Sequence, residues 1–262
     1  MPTPFQHLIY AQRLLDTADL PPAVLHTLHD ERGAFLFGST AGDVQVITGQ
    51  PRVATHFYRL SEPHERSAAE RFLMACPELA NPEQLSPAHA AFVSGYLVHL
   101  VWDEIWARDI FIPCYRDGPL RAEHLAYHLH HNALRVHLDW EAYEQLRSVP
   151  HLVPALCGVT PDGWLPFATS SALLAWRDWL VEQLVDPTKI QTSKVFAERM
   201  KVSIEALETV VAEIDAGVYG QLPNLVSSLV DYEAAASAEC VATLLRYWGI
   251  GLDLGHWTKG LP

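Results

Sequence analysis

Residues Ser86–Ile110 read SPAHAAFVSGYLVHLVWDEIWARDI. A serine followed by proline is a helix start, because the hydroxyl can accept a first-turn N–H and the fixed φ of proline suits the first helical position. Apolar side chains then fall on every face, which predicts a helix buried on all sides that stops before Pro113. Against that background His99 and Asp103 are conspicuous: four residues apart, they project from one helix face. A buried carboxylate is costly unless it is paired, hydrogen-bonded or bound to a cation. A His–Asp hydrogen bond and a shared metal would both remove that cost, and on this helix alone the hydrogen bond is the simpler reading.

Working outward, the pattern stays helical, with proline and glycine as punctuation and no alternating strand runs. Helices are predicted over 3–16, 32–41, 121–147, 169–185, 194–199, 203–215 and 223–249. Gly42 is expected to let the chain turn before Asp43. The fold class is therefore all-α. The Pro- and Gly-rich stretch PHLVPALCGVTPDGWLP, beginning at Pro150, separates residues 1–150, a metal-binding helical bundle, from a helical region 151–262 packed on it or continuous with it.

Composition narrows the function classes. The 262 residues carry 18 Lys plus Arg against 31 Asp plus Glu, a formal charge of −13, which disfavours nucleic acid as a partner. With 49% hydrophobic and 19% charged residues, the chain can bury a sizeable core and does not have the composition of a disordered one. No segment has the length and apolarity of a spanning helix, and the start, MPTPFQHLIYAQR, lacks the features of a secretory signal, so a cytoplasmic location is expected. Cys76, Cys114, Cys157 and Cys240 form no CxxC pair and are read as buried thiols. Thirteen of the fourteen histidines lie at or before position 151, so histidine chemistry belongs to the first region.

Three further segments bear on His99 and Asp103: His7 in PFQHLI, Asp43 in FGSTAGDV and His56 in THFY. Singly they read as a helix-surface histidine, a turn or cap aspartate and a satisfied core histidine. In their chain order, with GYLVHLVWD, they resemble the zinc-dependent phospholipase C family and the related zinc-dependent single-strand nucleases, over roughly residues 3–140. The resemblance implies a multi-helix bundle enclosing two or three zinc ions and hydrolysing phosphate esters. By matching motifs, one zinc would be held by Asp43, His56, His99 and Asp103, and a second would share Asp103 and take His7. Manganese or iron would also suit imidazole and carboxylate ligands. The expected partner is a small phosphorylated substrate or a phospholipid headgroup, with Asp43 also serving, through a water, as general base.

The chain departs from that family in two places. The family's N-terminal tryptophan ligand is missing, and Pro2 lies only five residues before His7. Where a further histidine follows His-x3-Asp, this chain has Asp109 as the candidate ligand. The family's next His-x3-Glu pair corresponds to His124 and His128, with His131 as an alternative ligand. His124, His128, His131, Arg135 and Asp139 form one stripe on a predicted helix, which faces either solvent or the metals. In the second case Arg135 could grip a substrate phosphate with its planar fork. Trp106 could wall the cleft. A non-catalytic helical protein binding a metal or small ligand is the alternative, and a third reading, a helical HD-type phosphohydrolase, rests on His29-Asp30.

Overall fold

The computed structural model describes residues 1–60, 65–119, 124–219, 222 and 224–250, without the side chains of 124 and 125. The chain forms α1 (Pro4–Thr17), α2 (Pro22–Asp30), α3 (Arg32–Ala41), the single turns α4 (Gln45–Thr48) and α5 (Val53–His56), α6 (Ala68–Ala75) and α7 (Pro87–Trp106). It continues with α8 (His124–Leu146), α9 (Leu152–Cys157), α10 (Ser170–Val185), α11 (Thr192–Met200), α12 (Ile204–Asp215) and α13 (Leu225–Tyr247). No strand occurs among the described residues, only an isolated bridge between Leu165 and Ala168. The fold is all-α, as the periodicity predicts.

Helix α7 is the central element, buried along nearly its whole length. Its Ser86 hydroxyl accepts the His89 N–H at 3.3 Å, the cap expected of Ser-Pro. Helix α3 packs directly on it because glycines remove the side chains at the crossing. A Cβ at Gly38 would collide with the Phe92 carbonyl, and one at Gly95 with the Phe35 carbonyl. The close approach brings the C-terminal end of α3 against the middle of α7, which is where Ser39 and His99 meet.

The later helices close over this pair. Trp176 of α10 is fully buried and donates to the Thr40 carbonyl at 3.0 Å. Tyr232 of α13, also fully buried, donates to the Trp102 carbonyl at 3.3 Å. Burying an aromatic side chain of this kind contributes roughly 1.5–3 kcal/mol, and the hydrogen bond satisfies its polar end. One apolar core runs from Phe5 to Tyr247.

Some sequence expectations need correcting. The chain does not stop before Pro113: past Trp106 it continues as a π-helical segment, Ala107–Arg116, that includes the proline. In this wider turn the N–H of residue i reaches back five residues, as Asp117 N–H does to the Ile112 carbonyl at 2.9 Å. The proline ring is thereby relieved of its usual clash four residues back. Helices α2, α6 and α9 are additional, as are the single turns α4 and α5. Helix α6 has a readable start, in which Ser67 accepts the Glu70 N–H and Glu70 accepts the Ser67 N–H at 2.7 Å. Of the four cysteines, Cys76 and Cys240 are buried, whereas Cys114 is half-buried and Cys157 exposed. No helix among the described residues is long and apolar enough to cross a membrane.

Candidate metal centre

Five side chains from separate parts of the chain converge between α1, α3, α5 and α7: His7, Asp43, His56, His99 and Asp103. All except Asp43 are almost completely buried, and the Asp43 side chain retains 16% exposure. Asp103 turns its two oxygens in different directions. Oδ1 lies 3.4 Å from His7 Nε2, while Oδ2 lies 3.1 Å from His56 Nε2 and 3.9 Å from His99 Nε2. His56 Nε2 is also 3.1 Å from His99 Nε2 and 3.7 Å from Asp43 Oδ1.

The backbone fixes each ring. His99 Nδ1 lies 2.9 Å from the Ser39 carbonyl, so it carries a proton and leaves the Nε2 lone pair facing the cluster. His7 stacks on His99 with ring centroids 4.0 Å apart. His56 sits at the end of α5, where Phe57 adopts φ 59°, a left-handed conformation favoured by glycine and rare for an aromatic residue. Packing of the Phe57 ring against Phe72 and Phe167 holds it there. Gly42 has an ordinary helical φ of −60°, so it is not the flexible turn expected from sequence. Its hydrogen makes room for His99: a Cβ there would collide with the imidazole.

The donor set fits a divalent cation. Zinc binds imidazole and carboxylate at about 2.0–2.2 Å, which places tetrahedral ligands about 3.4 Å apart. The separations around His56 Nε2, 3.1 to 3.7 Å to His99, Asp103 and Asp43, bracket that spacing. Two trios bring their ligand atoms within 4.8 Å of one another: His7, His99 and Asp103, and Asp43, His56 and His99. His99 belongs to both but has one lone pair to give, so a second cation would rely on His7 and Asp103. Both ring nitrogens of His7 and Oδ1 of Asp103 are buried with no hydrogen-bond partner. Orphaned polar atoms at this depth are costly and rare.

Charge matches this geometry. Burial, then Arg52, pushes the His56 pKa down, and burial, then His7, holds His99 well below the usual histidine range. Both rings are therefore neutral, the form that binds metals. Burial opposes the Asp103 charge, but Arg52 and a hydrogen bond from His56 outweigh it and keep the carboxyl well below the usual carboxylate range. Arg52, which sequence reasoning missed, pairs directly with Asp103 Oδ2 and donates to the Tyr58 hydroxyl at 2.9 Å. Tyr58 donates in turn to the Asp103 carbonyl at 3.1 Å. The available signal was the spacing of Arg52 and His56, four apart on one helical turn in PRVATHFY.

The other predicted ligands stay apart from this centre. Asp109 pairs with Arg108 Nε at 2.6 Å in the π-helical segment, which turns it aside. His131 is buried, but its Nε2 accepts the Trp106 indole N–H at 3.0 Å and is not free to ligate. Trp106 is thus a buried support for His131, not a cleft wall. His128 is half-buried beside Tyr127 and belongs to neither trio. His124 opens α8, but its side chain lies outside the described residues. His29 and Asp30 are exposed on α2, also outside both trios.

Arg135 faces a small cleft that also contains Asp43. The stripe on α8 therefore points inward at His131, Arg135 and Asp139. The α-amino group of Met1 is buried nearby, although few residues separate it from His7. Burial, then Arg135, drives its pKa well below the usual range. Compared with known proteins, the chain matches no family model, no curated protein and no solved structure.

Proposed function

We propose that the protein is a metal-dependent hydrolase of phosphate esters, on a helical fold resembling that of zinc-dependent phospholipase C. The observation that carries this reading is the convergence of His7, Asp43, His56, His99 and Asp103, with His7 and Asp103 Oδ1 facing each other at 3.4 Å and making no hydrogen bond. Asp43, His56 and His99 would hold one cation, and His7 and Asp103 a second. Bound zinc, or manganese or iron, would supply Lewis acidity at the phosphoryl group and an acidified water.

The chain's own groups account for the remaining work. Asp43 is the partly open carboxylate of the cluster and would accept the proton of the attacking water. Arg135 would orient the phosphate. Burial of His7, His56, His99 and Asp103, with the Tyr96 ring beside His99, excludes bulk water and strengthens every charge interaction inside. The test is metal analysis of protein purified without added metal, with turnover of a chromogenic phosphate ester by wild type and His99→Ala. Stoichiometric metal and His99-dependent turnover support the proposal; their joint absence refutes it.

The contact between Arg52 and Asp103 favours a second reading, a non-catalytic helical protein, because Arg52 neutralises the buried carboxylate without any cation. Chelation separates the two. A hydrolase keeps its fold and loses turnover when its metal is removed, whereas a protein whose buried carboxylate is balanced by Arg52 alone shows no turnover and no change of fold with chelator.

A further inference from the structure

We propose that the cleft between α8 and α11 is a seat for a dianionic phosphate group, so that the substrates are small phosphate monoesters. This specifies the substrate of the hydrolase proposed above and rests on that reading for its meaning. The cleft holds about 40 Å³ and is lined by Arg135, Arg199, Asp43, Thr192 and Phe196 among others. The Arg135 guanidinium lies 4.2 Å over the Phe196 ring, and Nη1 donates to Asn132 Oδ1 at 2.9 Å. Its Nε is buried with no hydrogen-bond partner. The side chain that carries this unsatisfied donor borders the cleft, where an acceptor would offset its cost.

Arg199 is the second cation. It stands exposed near the end of α11 and has no carboxylate partner among the described residues. Two guanidinium groups on one small opening match the charge of a phosphate monoester better than the single charge of a diester. Asp43 joins the seat to the metal centre: the carboxylate that faces His56 at 3.7 Å also borders the cleft. A phosphate here would meet both arginines and lie beside Asp43, the residue of the cluster that lines the cleft. The opening is small, and its lining offers two guanidinium groups and a threonine to a phosphate.

Calorimetry with inorganic phosphate and with dimethyl phosphate, on chelated and zinc-loaded protein, tests the seat. Wild type should bind phosphate at least about tenfold more tightly than dimethyl phosphate. Arg199→Ala and Arg135→Lys should each weaken phosphate binding about tenfold and leave dimethyl phosphate nearly unchanged. Arg199 is exposed, so its variant keeps the fold, which a thermal melt would verify. Equal binding of the two anions overturns the proposal, as does phosphate binding that appears only with zinc and ignores both substitutions, or no phosphate binding in either state. Arginine-dependent phosphate binding by a protein that takes up no metal would keep the seat and sink the hydrolase reading.

Discussion

Gly42 lies flat against the imidazole of His99, with no room between them for a Cβ. Because the ring is also held at Nδ1 by the Ser39 carbonyl, it cannot retreat without losing that hydrogen bond. Gly42→Ala should therefore cost about 1–3 kcal/mol as an overpacked core site. It should also weaken metal binding by about 10–100-fold, the usual effect of disturbing a group that orients a ligand. Thermal melts and zinc titration check the two parts. Unchanged zinc affinity would mean that His99 is not a ligand.

The helical fold was legible because α7 announces itself twice, by Ser86-Pro87 and by its unbroken apolar run, and because Thr169 and Ser203 mark the starts of α10 and α12. His99 and Asp103 could be picked out because they interrupt an apolar helix, whereas His7, Asp43 and His56 joined them only through the resemblance of their chain order to that of the zinc-dependent phospholipase C family. Arg52 was harder to see: its one signal is the four-residue spacing to His56, and an arginine beside a proline otherwise reads as surface until the folded chain returns it to Asp103. Asp109 was misplaced for a different reason: a π-helical turn has no simple periodic signature, and it rotates the residues beyond Trp106 away from the face that α-helical spacing predicts.

His131 provides a direct contrast with His99. Its Nε2 already accepts the Trp106 N–H, so His131→Ala should leave zinc stoichiometry unchanged. Stability should fall by roughly 2–4 kcal/mol, since a cavity opens and a buried indole donor loses its partner. Metal analysis of the folded variant decides the point. A drop in bound zinc would restore His131 to the ligand set.

Acid should destabilise the metal-free protein earlier than carboxylate protonation alone would. The folded pKa values of His56 and His99 lie below their unfolded value, so the native state binds fewer protons. Their contribution is present above the unfolded value of about 6.5 and is lost as pH falls through the folded values. Asp103, also depressed, extends the loss below about pH 4. Urea melts of chelated protein from pH 8 to pH 5 should show midpoints dropping below about pH 6.5. A midpoint constant across that range would rule out neutral buried imidazoles.

Asp139 should behave in the opposite sense. It is buried on α8 and accepts a hydrogen bond from the Thr192 hydroxyl, yet burial raises its pKa from 3.8 to about 6. The folded state therefore prefers the protonated acid. The associated stability is complete below pH 3.8 and disappears as pH rises through about 6. At pH 8 the native protein carries the cost of a buried charge that asparagine, of nearly the same shape, avoids. Asp139→Asn should raise stability at pH 8 by no more than about 3 kcal/mol, and the gain should shrink towards zero at pH 4. Paired urea melts at the two pH values measure the difference. Destabilisation at pH 8 would instead show that Arg135, four residues away, needs the Asp139 charge, and would tie this carboxylate to the anion cleft that Arg135 lines.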